Sequence, residues 1–210
     1  MLAGSIPGAL PRDDVRFVCD LGLLRESKEG GLTVANPIYR EVIVRDLAAT
    51  PGAVLPVIAP SWLRPDGRLE AKKLLDTFVA FWRQHGEAML KSAPYHEVAP
   101  HLVLMAFLHR VVNGGGTIDR EYAIGSGRMD LCVRYGPDLL AIELKVWRED
   151  EPDPLAEGLV QLEAYLAGLG LSEGWLVIFD RRPGLPRLSK RTSTASAATA
   201  SGREIVVIRA

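Results

Sequence analysis

Arg128-Met129-Asp130-Leu131-Cys132-Val133-Arg134-Tyr135, then Gly136-Pro137-Asp138, then Leu139-Leu140-Ala141-Ile142-Glu143-Leu144-Lys145-Val146 is the stretch that decides how this chain reads. Apolar and polar side chains alternate with period two on both sides of a Gly-Pro break, which predicts two half-buried strands joined by a tight turn. Alternation puts Asp130 on the face opposite Met129, Leu131 and Val133. Glu143 and Lys145 share a face opposite Leu140, Ile142, Leu144 and Val146. If Tyr135 pairs with Asp138 across a two-residue turn, the same register sets Asp130 opposite Glu143. Two carboxylates side by side in a half-buried sheet repel one another. A hard cation removes that cost. Mg²⁺ takes one or two carboxylates and keeps waters and phosphate oxygens as its other ligands, so these two acids predict a site for Mg²⁺ (or Mn²⁺). Lys145 adds a positive charge that orients a water or balances charge building on a phosphate.

The same texture extends outward. Thr117 to Ile124 alternates too, so a three-stranded meander is expected over 117–146. Ahead of it, Leu75, Phe78, Val79, Trp82 and Met89 mark the buried face of a helix between about Leu69 and Lys91. After Pro94 a second helix is expected from about Tyr95 to Val112, with Glu97, His101, Leu104 and Leu108 along one stripe. Behind the meander, Leu155, Leu159, Leu162, Leu166 and Leu169 predict a helix closed by Gly170. GWLVIFD and EIVVIR read as strands, and the residues between them, from Arg181 to Arg203, as an exposed, mobile loop. Strands alternating with helices in this way predict an α/β fold. At the other end, VRFVCDLGLLRES, Gly30-Gly31 and LTVANPIYREVIVRDL read as helix, turn and short strands, the second half of a winged helix. The expected division is a partial winged-helix segment and linker over 1–60, a connecting helix over 61–94 and a main domain over 95–210.

With 210 residues, 48% hydrophobic and 24% charged, the chain has enough apolar surface for a packed core, which argues against global disorder. A formal net charge of -1 offers no overall basic field, although a local basic groove remains compatible with it. Cys19 and Cys132 lie far apart without metal-ligand spacing, and no HxxxH or HExxH pattern occurs among the four histidines. A zinc site is therefore not expected. No export signal and no apolar run of membrane-spanning length is apparent, so a cytoplasmic protein without membrane contact is the expectation.

Asp130 followed by Ile142-Glu143-Leu144-Lys145 resembles the PD-(D/E)XK nuclease superfamily, and Gln161-Leu162-Glu163-Ala164-Tyr165 is similar to the QxxxY motif of its RecB-like members. The resemblance implies a restriction-endonuclease-like core of helix, three-stranded meander, helix and strand. It implies that Asp130, Glu143 and the Leu144 backbone carbonyl hold Mg²⁺, that Lys145 activates the attacking water and that Glu97 reaches a metal or its water. Gln161 and Tyr165 would contact the site or the nucleic-acid strand. The strand carries Met129-Asp130 where the pattern has Pro-Asp. DLGLLRESKEGGLTVANPIYREVI, RPDGRLEAKKLLDTFVAFWR and APHLVLMAFLHRVVNGGGTIDREYAIGSGRMDL together resemble, over nearly the whole length, the C-terminal half of bacterial AAA-type ATPases with a fused nuclease-like domain, in which a winged helix precedes the nuclease-like fold. No GxxxxGK followed by Ser or Thr occurs here, so any motor is expected on another chain or in a part absent from this one.

Two functions follow as expectations. One is Mg²⁺-dependent hydrolysis of DNA phosphodiesters, for which the resemblance implies an in-line attack leaving a 5′-phosphate. The other is a catalytically silent nuclease-fold module that binds or regulates beside an AAA-type ATPase. Self-association is compatible with either. Each residue also has a plainer role: Glu97 as a first-turn acid, Gln161 as a surface amide, Tyr165 as a packing aromatic, Glu121 and Arg128 as solvated strand residues. Arg181, Arg182, Arg187, Lys190 and Arg191 form a basic run open to phosphate contact or simple solvation.

Overall fold

The computed structural model describes residues 16, 19–20, 24–26, 32–35, 61–92, 99–112, 115–124 and 127–210. The chain divides into two compact units, Met1–Thr50 and Pro51–Ala210. In the first, β1 (Leu24–Glu26) pairs antiparallel with β2 (Leu32–Val34), Leu24 opposite Val34 and Glu26 opposite Leu32. Leu24–Glu26 belong to the stretch expected to be helical. Here the chain returns on itself, and the backbone groups of Leu24–Glu26 find partners across the hairpin instead of along a helix. Arg16, Cys19 and Asp20, earlier in the same stretch, are helical as expected, and the remainder of the expected winged helix lies outside the described residues.

The second unit is α/β, with a six-stranded mixed sheet in the order β3-β4-β5-β6-β8-β7. Its elements are α1 (Ala71–Ser92), α2 (Ala99–Val112), β3 (Gly116–Ile124), β4 (Gly127–Tyr135), β5 (Asp138–Trp147), α3 (Leu155–Leu169), β6 (Glu173–Asp180), α4 (Leu188–Arg191), β7 (Ser193–Ala198) and β8 (Glu204–Arg209). β3, β4 and β5 form an antiparallel meander. The β4–β5 turn is the two-residue one, with Tyr135 opposite Asp138 and Gly136 at φ 57, a value that glycine adopts without steric cost. β5, β6 and β8 run parallel, and α3 makes the crossover between β5 and β6.

Helices cover both faces. Leu74, Leu75, Phe78, Val79, Phe81, Trp82 and Met89 give α1 its buried stripe, and α2 is apolar nearly all round because it lies between α1 and the sheet. Phe107 joins the two helices, with ring centroids 5.3 Å from Phe78 and 5.4 Å from Phe81. Phe179 of β6 meets Trp82 at 5.3 Å and His101 at 5.4 Å, so α1 and α2 cover the sheet face that carries Phe179. On the other face Leu162, Tyr165 and Leu166 of α3 pack with Ala141, Leu176, Ile178, Ile205 and Val207. Gly170, at φ 68, closes α3 by donating its N–H to the Leu166 and Ala167 carbonyls.

The segment expected to be a loop between β6 and β8 contains α4 and strand β7. Ser193 to Ala198 pair with Arg209 to Glu204 and satisfy the outer edge of β8. The strand carries only small residues, almost all exposed, so no apolar alternation announces it.

Gly158 fixes how closely α3 approaches the sheet. A Cβ at this position would lie 2.6 Å from Leu176 Cδ1, and Leu176 is fully buried. An exposed helical glycine gains stability on replacement by alanine. Gly158→Val is expected to do the reverse, lowering the unfolding free energy by about 1–3 kcal/mol through overpacking, measurable by urea denaturation.

Candidate functional site

The site arises where the meander splits. The β4–β5 ladder runs from Tyr135 opposite Asp138 to Leu131 opposite Ile142. Beyond that pair β4 stays with β3, Tyr122 opposite Met129, while β5 stays with β6 from Glu143 opposite Leu176 to Trp147 opposite Asp180. Asp130 and Glu143 are the first residues past the last pair of the ladder. In a continued ladder the Leu144 N–H would bond to the backbone at Met129. It donates instead to Asp130 Oδ2 at 2.8 Å. The N–H and C=O of one residue in an extended strand point to the same edge, so the Leu144 carbonyl is turned toward the fork as well.

Glu143 and Lys145 project toward α3, and both are buried, at 4% and 7% exposure. Lys145 Nζ meets Glu143 Oε1 at 3.3 Å and donates to Glu157 Oε1 at 2.9 Å and to Gln161 Oε1. Gln161 Nε2 in turn donates to Glu157 Oε1 at 3.4 Å. Glu143 Oε2 is buried and has no hydrogen-bond partner among the described residues. Burial first, and then the charge of Asp130, push the Glu143 carboxyl up to about 8 against the opposing pull of Lys145. Burial works against the Lys145 charge, but the hydrogen bond to Glu157 and the charges of Glu143 and Glu157 outweigh it and raise its pKa. The ammonium form is therefore the one held at neutral pH.

The structure thus brings Asp130, Glu143, Lys145 and Gln161 to one fork. Tyr165, one turn past Gln161, is buried in the packing beneath α3. Glu97 lies outside the described residues, as do the side chains of Glu121 and Arg128. The pairs on either side, Arg120 with Leu131 and Tyr122 with Met129, put the backbone of residue 121 across from Asp130. Among the described residues no three His, Cys, Asp or Glu side chains form a metal-holding group. The acids that the described part of the fork brings side by side are two, Asp130 and Glu143. His101 faces the other side of the sheet, where burial pushes its pKa down to about 3 and keeps the imidazole neutral. Part of the basic run is used internally: Arg182 pairs with Asp180 at 2.7 Å and lies 3.5 Å from the Trp147 ring centre. Arg191 Nη1 donates to the Ala210 carbonyl at 3.2 Å, whereas Arg181, Arg187 and Lys190 are exposed.

Glu157 is the participant that sequence reasoning missed. It precedes Gln161 by four residues, as Gln161 precedes Tyr165, so the i, i+4, i+8 stripe was present in the sequence.

No protein-family model matches the chain, and no curated protein does. One solved structure, described as "Crystal structure of SSO0001", is 20% identical over 68% of this chain and 75% of its own, with a TM-score of 0.26. That likeness is too distant to carry an argument about fold or activity. No helix among the described residues is long and apolar enough to cross a membrane.

The raised Glu143 pKa links the site to stability. Between the ordinary value of 4.5 and about 8, the unfolded chain releases a proton that the folded one keeps, so stability falls as pH rises through that window. In excess chelator, wild-type protein is expected to lose on the order of a few kcal/mol across it. Glu143→Gln should flatten the decline, as read by thermal melting against pH. Parallel wild-type and mutant curves would contradict the assignment.

Proposed function

We propose that this chain is a metal-dependent nuclease of the PD-(D/E)XK type that hydrolyses phosphodiester bonds in DNA. The observation that carries this reading is the buried, unpartnered Glu143 Oε2 beside Asp130 at the fork. Leaving a buried acceptor unsatisfied costs about 1–3 kcal/mol, and two acids at one fork make a cation the fitting partner. Asp130, Glu143 and the Leu144 carbonyl offer the all-oxygen ligands that Mg²⁺ or Mn²⁺ prefers, with room left for water and phosphate oxygens. When bound there, such an ion supplies Lewis-acid polarisation of the phosphate and a more acidic water.

The chain's own residues do the rest. Asp130 keeps its carboxylate in place by accepting the Leu144 N–H. Lys145, held as an ammonium, is a donor and a positive charge rather than a base. Its role is to orient the attacking water and offset charge developing on the phosphate oxygens. Gln161 anchors the ammonium from the helix side. The order α2, β3–β5, α3, β6 is the one the resemblance calls for, and DNA as substrate follows from the likeness to nuclease-like domains fused to AAA-type ATPases.

Purified protein with Mg²⁺ or Mn²⁺ and mixed DNA substrates tests the proposal. Cleavage is expected for wild type, with losses on the order of a hundredfold or more for Lys145→Ala and Asp130→Asn. Equal cleavage by all three would remove the site from consideration.

One observation favours a second reading, the silent module beside an ATPase. The three donors of Lys145 already meet three acceptors within the fold, as in a purely structural ion-pair network. Mn²⁺ titration by calorimetry separates the two. Binding that is lost in Asp130→Asn supports the nuclease, whereas retained DNA or partner binding without metal affinity or cleavage supports the module.

A further inference from the structure

We infer that Glu157 is a positioning residue of this site, fixing the Lys145 ammonium from outside the pair of acids that would take the cation. Its catalytic meaning rests on the nuclease reading, while the clamp itself rests on the geometry.

An ammonium has three donors, and those of Lys145 point at three acceptors of different character. Glu143 Oε1, at 3.3 Å, belongs to the carboxylate that a cation would share. Gln161 supplies a neutral amide oxygen. Glu157 Oε1, at 2.9 Å, is the one carboxylate of the three that stands outside the fork. A cation bound by Asp130 and Glu143 would place a second positive charge next to Lys145 and draw on the charge of Glu143. Lys145, at 7% exposure, then needs a separate counter-ion to stay where it is. Glu157 is suited to that task, because its own side chain is 64% exposed and its charge costs little desolvation. Gln161 Nε2 ties the Glu157 carboxylate to the same point, so two side chains one turn apart on α3 grip one ammonium.

The rival explanation is ordinary. Glu157 lies in the first turn of α3, where any acid favours the helix dipole. The two roles respond differently to substitution. Glu157→Gln and Glu157→Ala both remove the charge, but only glutamine keeps an oxygen within reach of Lys145. A first-turn acid predicts that the glutamine variant is no better than the alanine one.

Two measurements on the intact 210-residue chain decide the matter. In Mn²⁺-supported DNA cleavage, Glu157→Ala is expected to lower kcat on the order of tenfold with KM little changed, and Glu157→Gln to recover part of the loss. In metal-free protein, amine acylation read by peptide mass spectrometry should label Lys145 several-fold faster in Glu157→Ala than in wild type, with exposed Lys72 as the internal standard. Glu157→Gln should fall between them, and it carries the comparison alone if the alanine variant does not fold. Equal Lys145 labelling in wild type and variants overturns the clamp whatever cleavage does. Faster labelling with an unchanged kcat overturns the positioning role. Faster labelling in a protein whose wild type cleaves nothing leaves the clamp standing and defeats the nuclease reading instead.

Discussion

Where β4 and β5 part, the Leu144 amide loses the strand that would have accepted its hydrogen, and the Asp130 carboxylate takes that place. Buried or half-buried backbone groups must be paired, so a sheet can open in its middle only if something replaces the missing ladder. Here the replacement is a side chain with a charge and a second oxygen. The acid that holds the fork open is thereby the acid that faces Glu143, and one residue serves both the backbone and the electrostatics of the site. A neutral asparagine would keep an acceptor for the amide while removing the charge, which makes it the informative replacement.

The electrostatics follow from what the opening gathers. Two carboxyl groups, Glu143 and Glu157, face one ammonium, that of Lys145, and a third, Asp130, acts on Glu143 from the strand beside it. Their environments differ sharply. Glu143 lies under α3 and is driven toward its neutral form, whereas Glu157 reaches solvent and supports the lysine charge. Groups of one chemical type, pushed apart by burial, take different tasks within one small volume.

Much of this was legible in the sequence, and for identifiable reasons. Period-two alternation gives the faces of β4 and β5 directly, and the Gly136-Pro137 turn fixes the register that puts Asp130 level with Glu143. The stripe of Leu162 and Leu166 in α3 reads equally well, because its apolar face is continuous. The end of the ladder after Leu131 and Ile142 does not, since it depends on β3 and β6 competing for the same two strands. Glu157 escaped because an acid in a first helical turn has a sufficient local explanation, and only the docking of α3 sets it over Lys145. β7 escaped for the opposite reason: of Ser193 to Ala198 only Ala197 is even partly buried, and a strand of small residues that buries so little leaves no periodic trace.

Gly158 lies between Glu157 and Gln161 in the sequence and contributes no side chain at all. Its bare Cα lets the helix backbone settle against Leu176, which brings the neighbouring turn down to the level of the sheet. A side chain at this position would hold the helix farther off and lengthen the reach that Glu157 and Gln161 must make to the Lys145 ammonium. The span across which the two polar residues work is thus set by an absence of atoms. In chains that vary this helix, the residue without a side chain should constrain the grip on Lys145 more tightly than many that take part in it.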